Sequence, residues 1–382
     1  MTLRTTDRRQ FLRGLSALSA LALLPAAQAA APPTVLAAAW LAGGDLPAPL
    51  AQGAGHYVGT LRIDWSARQI HMLGAIPVPH RPHGIVAMPG GEGFYAVAFR
   101  HGRWLLAADA RGRELRRVDL ASEPGGRTFN GHVELSPDGQ WLFTTEVVPA
   151  TGEGWISVRS ARTLARVAQL RSGGVEPHQL LLDDEGMMLV ANGGLRWTRD
   201  DQKIGVEHMD SSLARVNPEN GALLGQWRLR DARLSLRHLA WNMQPSGRRV
   251  LGIALQGNHD APEQRRAAPA LALWDGQALD IPSQSPLGLG YIGDIAPGPG
   301  GGFLMSAEIH DRVVFWHPGE AEKLFLIADM SRAAALAPSG AERSLFIGGE
   351  KGVARWELNR PAAPLPWPFP IAPDHHWAVL EG

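Results

Sequence analysis

Short apolar runs separated by turns recur at a fixed period along the chain from residue 82 onward. The first unit opens at Pro82-His83-Gly84 and enters an apolar run over 85–88. A Pro-Gly-Gly turn at 89–91 leads to further runs over 94–99, 104–108 and 115–120. Runs this short, bounded by glycine, proline or charge, predict strands and are too brief for helices. The next unit keeps the same order. Gly131-His132 opens it, Ser136-Pro137-Asp138-Gly139 turns it, and runs follow over 141–146, 155–159 and 165–170.

A third unit begins at Pro177-His178 and a fourth at Arg237-His238, while glycine-rich turns at 297–302 and 338–340 mark two more. The recurring histidines step by 49, 46 and 60 residues, the longest step absorbing a loop over 259–269. Runs over 35–39, 56–63 and 69–73 supply a further unit. Four short strands per period of about 45 residues predict an all-β fold, a seven-bladed β-propeller, with six or eight blades as alternatives. A strand from the N-terminus completing the last sheet would close the ring and remove its exposed edges. The tryptophans, among them Trp104, Trp141, Trp155 and Trp197, recur at blade intervals and are read as packing between sheets.

In such a ring the first strand of each blade lines the channel and the second runs back antiparallel. The residue before the first strand and the end of the second therefore meet at one rim. That places His83, His132, His178 and His238 in repeat-equivalent positions, with His101, Glu146, Asn192, His259, Glu308, His310 and Glu350 near the same rim and Asp294 as the counterpart in blade six. Imidazole and carboxylate donors suit a first-row metal ion. The candidate ligands are His83, His132, His178, His238, Glu146 and Glu308, expected at the channel mouth. The plainer reading is that each histidine only bonds neighbouring backbone. His375-His376 follows a proline-rich run over 361–373, read as an extended tail packing over the blades.

Composition narrows the chemistry. Lysine plus arginine and aspartate plus glutamate both total 37, so no net field draws in nucleic acid. With no cysteine, disulfides, thiolate metal sites, iron–sulfur clusters and a cysteine nucleophile are excluded. No nucleotide-binding fingerprint, haem motif, Gly-x-Ser-x-Gly elbow or His-Glu-x-x-His pattern is present. Arg8-Arg9-Gln10-Phe11-Leu12-Arg13, an apolar run over 15–24 and Ala27-Gln28-Ala29 predict a twin-arginine signal peptide over 1–29. Residues 30–382 then form one propeller domain with a proline-rich C-terminal tail over 361–382, exported folded to the periplasm. No later stretch reaches the length of a membrane span.

The twin-arginine start, Arg81-Pro82-His83-Gly84, the segment Gly131-His132-Val133-Glu134-Leu135-Ser136-Pro137-Asp138-Gly139 and Glu176-Pro177-His178 together resemble an uncharacterised family of bacterial periplasmic propellers. The likeness covers nearly the whole mature chain. Genes of that family commonly lie beside imelysin-type and dihaem-oxidoreductase-like proteins of iron acquisition, so the resemblance implies iron handling by association and carries over no catalytic residue. The expected function is a periplasmic metal-binding propeller in iron or copper handling, whose partners are a metal ion or small ligand and other periplasmic iron-acquisition proteins. Alternatives are a lactonase-like hydrolase or oxidoreductase using a histidine or glutamate of the same rim as general base, and an interaction scaffold.

Overall fold

Each apolar run becomes a strand, and the strands assemble into seven radial sheets. The computed structural model describes residues 33–43, 53–282, 289–339 and 344–380; the expected export segment over 1–29 lies outside them. Blades two to seven are four-stranded, with inner strands Pro82–Ala87, Thr128–Leu135, Pro177–Leu182, Leu234–Met243, Asp294–Pro297 and Ala335–Ser339. Each later strand of a blade pairs antiparallel with the one before it, as the closely spaced turns require.

Blade one joins the two ends of the chain. Thr34–Ala42, Gly55–Asp64 and Gln69–Val78 form its outer part, and the C-terminal strands Ile371–Pro373 and Ala378–Leu380 both pair antiparallel with Thr34–Ala42 as its innermost layer. The expected closure is thus reversed: the C-terminus completes the first sheet, and the N-terminus does not complete the last. Nor does the proline-rich stretch pack over the blades. Ala363–Pro366 is the outer strand of blade seven, and Ile371–Pro373 is inner strand of blade one. Both lie at sheet edges, where a missing proline N–H leaves no ladder bond unmade.

Seven hydrophobic clusters hold the ring, one at each junction between neighbouring blades. The cluster that joins blade seven to blade one packs Ala335, Phe346 and Val353 against Leu36, Trp40, Leu61 and the C-terminal Trp377. Burial of Trp40 and Trp104 follows the expected packing role. Trp155 and Trp197 depart from it, because each stacks on arginine: Arg171 lies 4.0 Å from the Trp155 ring and Arg100 lies 3.9 Å from the Trp197 ring. Two insertions interrupt the repeat, each between the second and third strands of its blade. They are a hairpin, Arg196–Trp197 with Lys203–Ile204, in blade four and a short helix, Pro262–Ala267, in blade five.

Candidate metal centre

The inner strands of blades two to five each lose register once against their neighbour, and each interruption contains a histidine. The shifts fall between Pro82 and Ile85, Phe129 and Val133, Pro177 and Leu180, and Leu236 and Leu239, bracketing His83, His132, His178 and His238. A bulge of this kind adds a residue to one strand and re-aims a side chain. The inner strands of blades six and seven pair without a shift. In the closing strand of blade one, pairing lapses between Pro373 and Ala378, and the gap carries Asp374, His375 and His376, the last at φ 58°.

These irregularities bring the four histidines together. One ring nitrogen from each of His83, His132, His178 and His238 lies within 4.8 Å of the others, and all four residues are at most 3 % exposed. Nε2 of His178 and Nε2 of His238 are 2.8 Å apart. The Nε2 atoms of His83 and His132 are buried with no hydrogen-bond partner. The bulges interlock: a Cβ at Gly131, whose φ is +106°, would lie 2.8 Å from Cδ2 of His83. The four rings are buried, and His83, His178 and His238 line one cavity with Glu308 and Glu350, two of the residues expected near the same rim.

His376 is a fifth imidazole of the same group. Its ring centroid is 4.7 Å from that of His83, 4.8 Å from His132 and 4.5 Å from His238. Nδ1 of His376 faces Asp294 Oδ1 at 3.2 Å, and its Nε2 is buried without a partner. Sequence reasoning set this residue aside with the tail. The available signal was that a ring closed by the C-terminus puts the dipeptide at 375–376 on an inner strand, in line with the other histidines.

Burial is the largest cause holding His83, His132, His178 and His238 well below the ordinary imidazole pKa; neighbouring imidazoles and, for His132 and His178, Arg237 push in the same direction. All four are therefore neutral at physiological pH and offer lone pairs. His375 behaves differently. Burial alone would lower its pKa, but the hydrogen bond and charge of Glu308, 2.8 Å from Nε2, outweigh burial and raise it.

Carboxylates stand behind the imidazoles. Asp374 takes a two-bond ion pair from Arg81 and faces Nδ1 of His83 at 3.5 Å, and with His83 and His375 it forms a second group of mutually close ligand atoms. A carboxylate behind an imidazole fixes its tautomer and leaves the other nitrogen free to ligate. Glu308 reaches this region through His375. Glu146 is a correction to the expected set: its oxygens are held by Arg127 at 3.1 Å and Arg159 at 3.0 Å, and it joins no group of close ligand atoms among the described residues. An inner-strand bulge aims a residue at the channel, whereas Glu146 lies on the second strand in regular register with Trp155. Other expected rim residues are committed elsewhere: His310 to the Leu289 carbonyl, His259 to Asp231, and Asn192 to Ser172.

The imidazoles contribute to two cavities. A cavity of ≈ 780 Å³ is lined by His83, His178 and His238 together with Phe99, Tyr291 and several cations. A smaller one of ≈ 150 Å³ is lined by His132, His376, Asp294 and Glu134. Burial pushes the Glu134 carboxyl up to about 8, so it is largely protonated at neutral pH. A cluster of neutral nitrogens, backed by carboxylates and opening on a cavity, can bind a divalent first-row ion and leave room beside it for a small molecule.

Among curated proteins, none matches the chain. Solved structures share its fold at low identity. A putative 6-phosphogluconolactonase from Bacteroides fragilis NCTC 9343 has a TM-score of 0.58 at 12 % identity, covering 93 % of this chain and 99 % of that one. Kuenenia stuttgartiensis hydrazine synthase gives 0.55 at 11 %, covering 80 % and 93 %. Virginiamycin B lyase from Staphylococcus aureus gives 0.52 at 12 %, covering 75 % and 84 %. Likeness at these identities concerns the propeller alone. Residues 76–379 match the family described as protein of unknown function (DUF1513), and the chain belongs to that family.

Proposed function

We propose that this chain is a periplasmic metal-binding propeller in iron or copper handling, and that His83, His132, His178 and His238 hold the ion. The observation that carries the reading is the quartet of buried, neutral imidazoles whose ligand atoms lie within 4.8 Å, two of them with an orphaned Nε2. Leaving a buried polar nitrogen without a partner costs about 1–3 kcal/mol. Several such nitrogens converging on one point make sense when an ion meets them all.

Nitrogen donors without thiolate suit iron, copper, nickel or zinc. The resemblance to periplasmic propellers of iron-acquisition neighbourhoods supports iron, and the Arg8-Arg9 motif supports folded export with the ion already bound. His376 would add a fifth donor, while Asp374 and Asp294 would orient His83 and His376 and offset the ion's charge.

The test is metal content. Full chain isolated from the periplasm of its expressing cells is expected to carry about one iron or copper per molecule, and His132→Ala with His178→Ala to lose at least tenfold of it. Stoichiometric zinc would remove the iron or copper part of the proposal. Metal content unchanged in the folded double variant would remove the site.

A further inference from the structure

The chain as a whole is electrically balanced, but the cavity of ≈ 780 Å³ is not. Seven cationic side chains, including Arg81, Arg100, Lys203, Arg237, Arg265 and Arg266, line it against the three carboxylates Glu308, Glu350 and Asp374. Several of these charges are brought there on purpose-built elements: Lys203 comes from the hairpin inserted in blade four, and Arg265 and Arg266 from the short helix inserted in blade five. Neither insertion is needed to close the ring, and both leave their blades at the same point in the strand order.

The inner wall has unspent donor capacity. Arg100 has a side chain only 9 % exposed, wedged 4.4 Å from the Phe99 ring and 3.9 Å from the Trp197 ring. Its Nε forms an ion pair with Oδ1 of the exposed Asp201 at 3.2 Å, its Nη1 makes no hydrogen bond, and Glu176 Oε1 lies 3.6 Å from Nη1 while accepting from Nη1 of Arg237 at 2.6 Å. The buried Glu176 is thus shared by two buried guanidinium groups, and the second acid on Arg100, Asp201, faces solvent. Lys203 donates to the neutral Asn258 at 2.6 Å and lies 5.6 Å from the Trp197 ring, with no carboxylate within ion-pair distance among the described residues. Arg265 and Arg266 have no carboxylate within ion-pair distance among the described residues.

We infer that this cavity binds a small, multiply charged oxyanion, a polycarboxylate or phosphate compound, seated between Arg100, Lys203 and Arg237 and reaching toward the imidazoles. A guanidinium fork recognises carboxylate or phosphate oxygens through paired N–H donors. A space of ≈ 780 Å³ accommodates a metabolite-sized ligand. The mutual repulsion of the cations agrees with this: burial first, and then Arg237, hold Arg100 down to about 10, and burial followed by Arg237, Arg265 and Arg100 hold Lys203 down to about 8. An anion among them removes that repulsion.

The inference goes beyond the metal reading and does not require the ion. Titration calorimetry of inorganic phosphate, succinate and citrate into the full chain tests it. At least one is expected to bind, tenfold or more weakly in Arg100→Gln and in Lys203→Met, and more weakly as salt rises. Arg113→Gln, at an exposed arginine that does not line the cavity, is expected to leave succinate and phosphate binding within threefold, which separates the cavity wall from general surface charge. No binding of any of the three, or binding unchanged in both wall variants, overturns the inference. Anion binding by protein that never takes up metal sustains it while sinking the metal proposal.

Discussion

At the scale of single residues, the site depends on a feature that composition does not display. Gly131 sits against the His83 ring at a positive φ, so Gly131→Ala adds both backbone strain and a clash with an imidazole. The strain alone costs about 1–2 kcal/mol, and we expect Gly131→Ala to lower the melting temperature and to weaken metal binding at least tenfold, measured by thermal denaturation and metal titration. Glu146 makes the opposite case. It and Arg159 have fully buried side chains, so Glu146→Gln leaves Arg159 with Glu123 alone and takes the carboxylate from Arg127. Losing one member of a buried pair costs about 3–5 kcal/mol. Chemical denaturation should show such a loss while metal stoichiometry in the folded protein stays unchanged. Sequence position alone could not separate Glu146 from the histidines, because its partner arginines come from the loop before Thr128 and from the strand Glu153–Ser160 and leave no local trace.

At the scale of elements, repetition made the blades readable and irregularity hid the site. Alternating short runs and turns fixed the inner strands of blades two to five and put His83, His132, His178 and His238 at equivalent places. The bulges that turn those rings inward are invisible to a pattern of period two, which registers an added residue only as a slipped phase. The closing strand was misread for a related reason: prolines argued against a strand, yet Ile371–Pro373 and Ala363–Pro366 are edges that tolerate them. Removing residues 371–382 takes away the inner layer of blade one, uncovers Leu36 and Trp40, and deletes His376. We expect that truncation to abolish the cooperative unfolding transition and to yield aggregates on size-exclusion chromatography; a monomeric, cooperatively unfolding product would contradict closure by the C-terminus.

Across the whole molecule, seven blade junctions pay for a channel packed with ionisable groups that do not stabilise the fold by themselves. The sign of their effect on stability follows from proton linkage. His83, His132, His178 and His238 are held below their ordinary value, so on acidification the unfolded chain takes up protons before the folded one does. Their contribution is fully present above about pH 6.5 and is lost as pH falls toward their folded values, by roughly 1.4 kcal/mol per pH unit for each imidazole. His375, raised by Glu308, acts in the reverse sense, losing its contribution as pH rises through its folded value. Four groups against one make acid destabilisation the net result. Urea midpoints are expected to fall steeply between pH 7 and pH 5 and to fall less when the ion is bound, because a ligand that needs neutral imidazoles resists their protonation.

The central claim is that the inward-turned histidines ligate one ion, and anomalous diffraction from a crystal of the metal-loaded protein tests it most directly. The account predicts a single anomalous peak among His83, His132, His178 and His238, with nitrogen ligands at about 2.0–2.2 Å. A peak elsewhere in the molecule, or none among those rings in protein soaked with iron and copper salts, would contradict it.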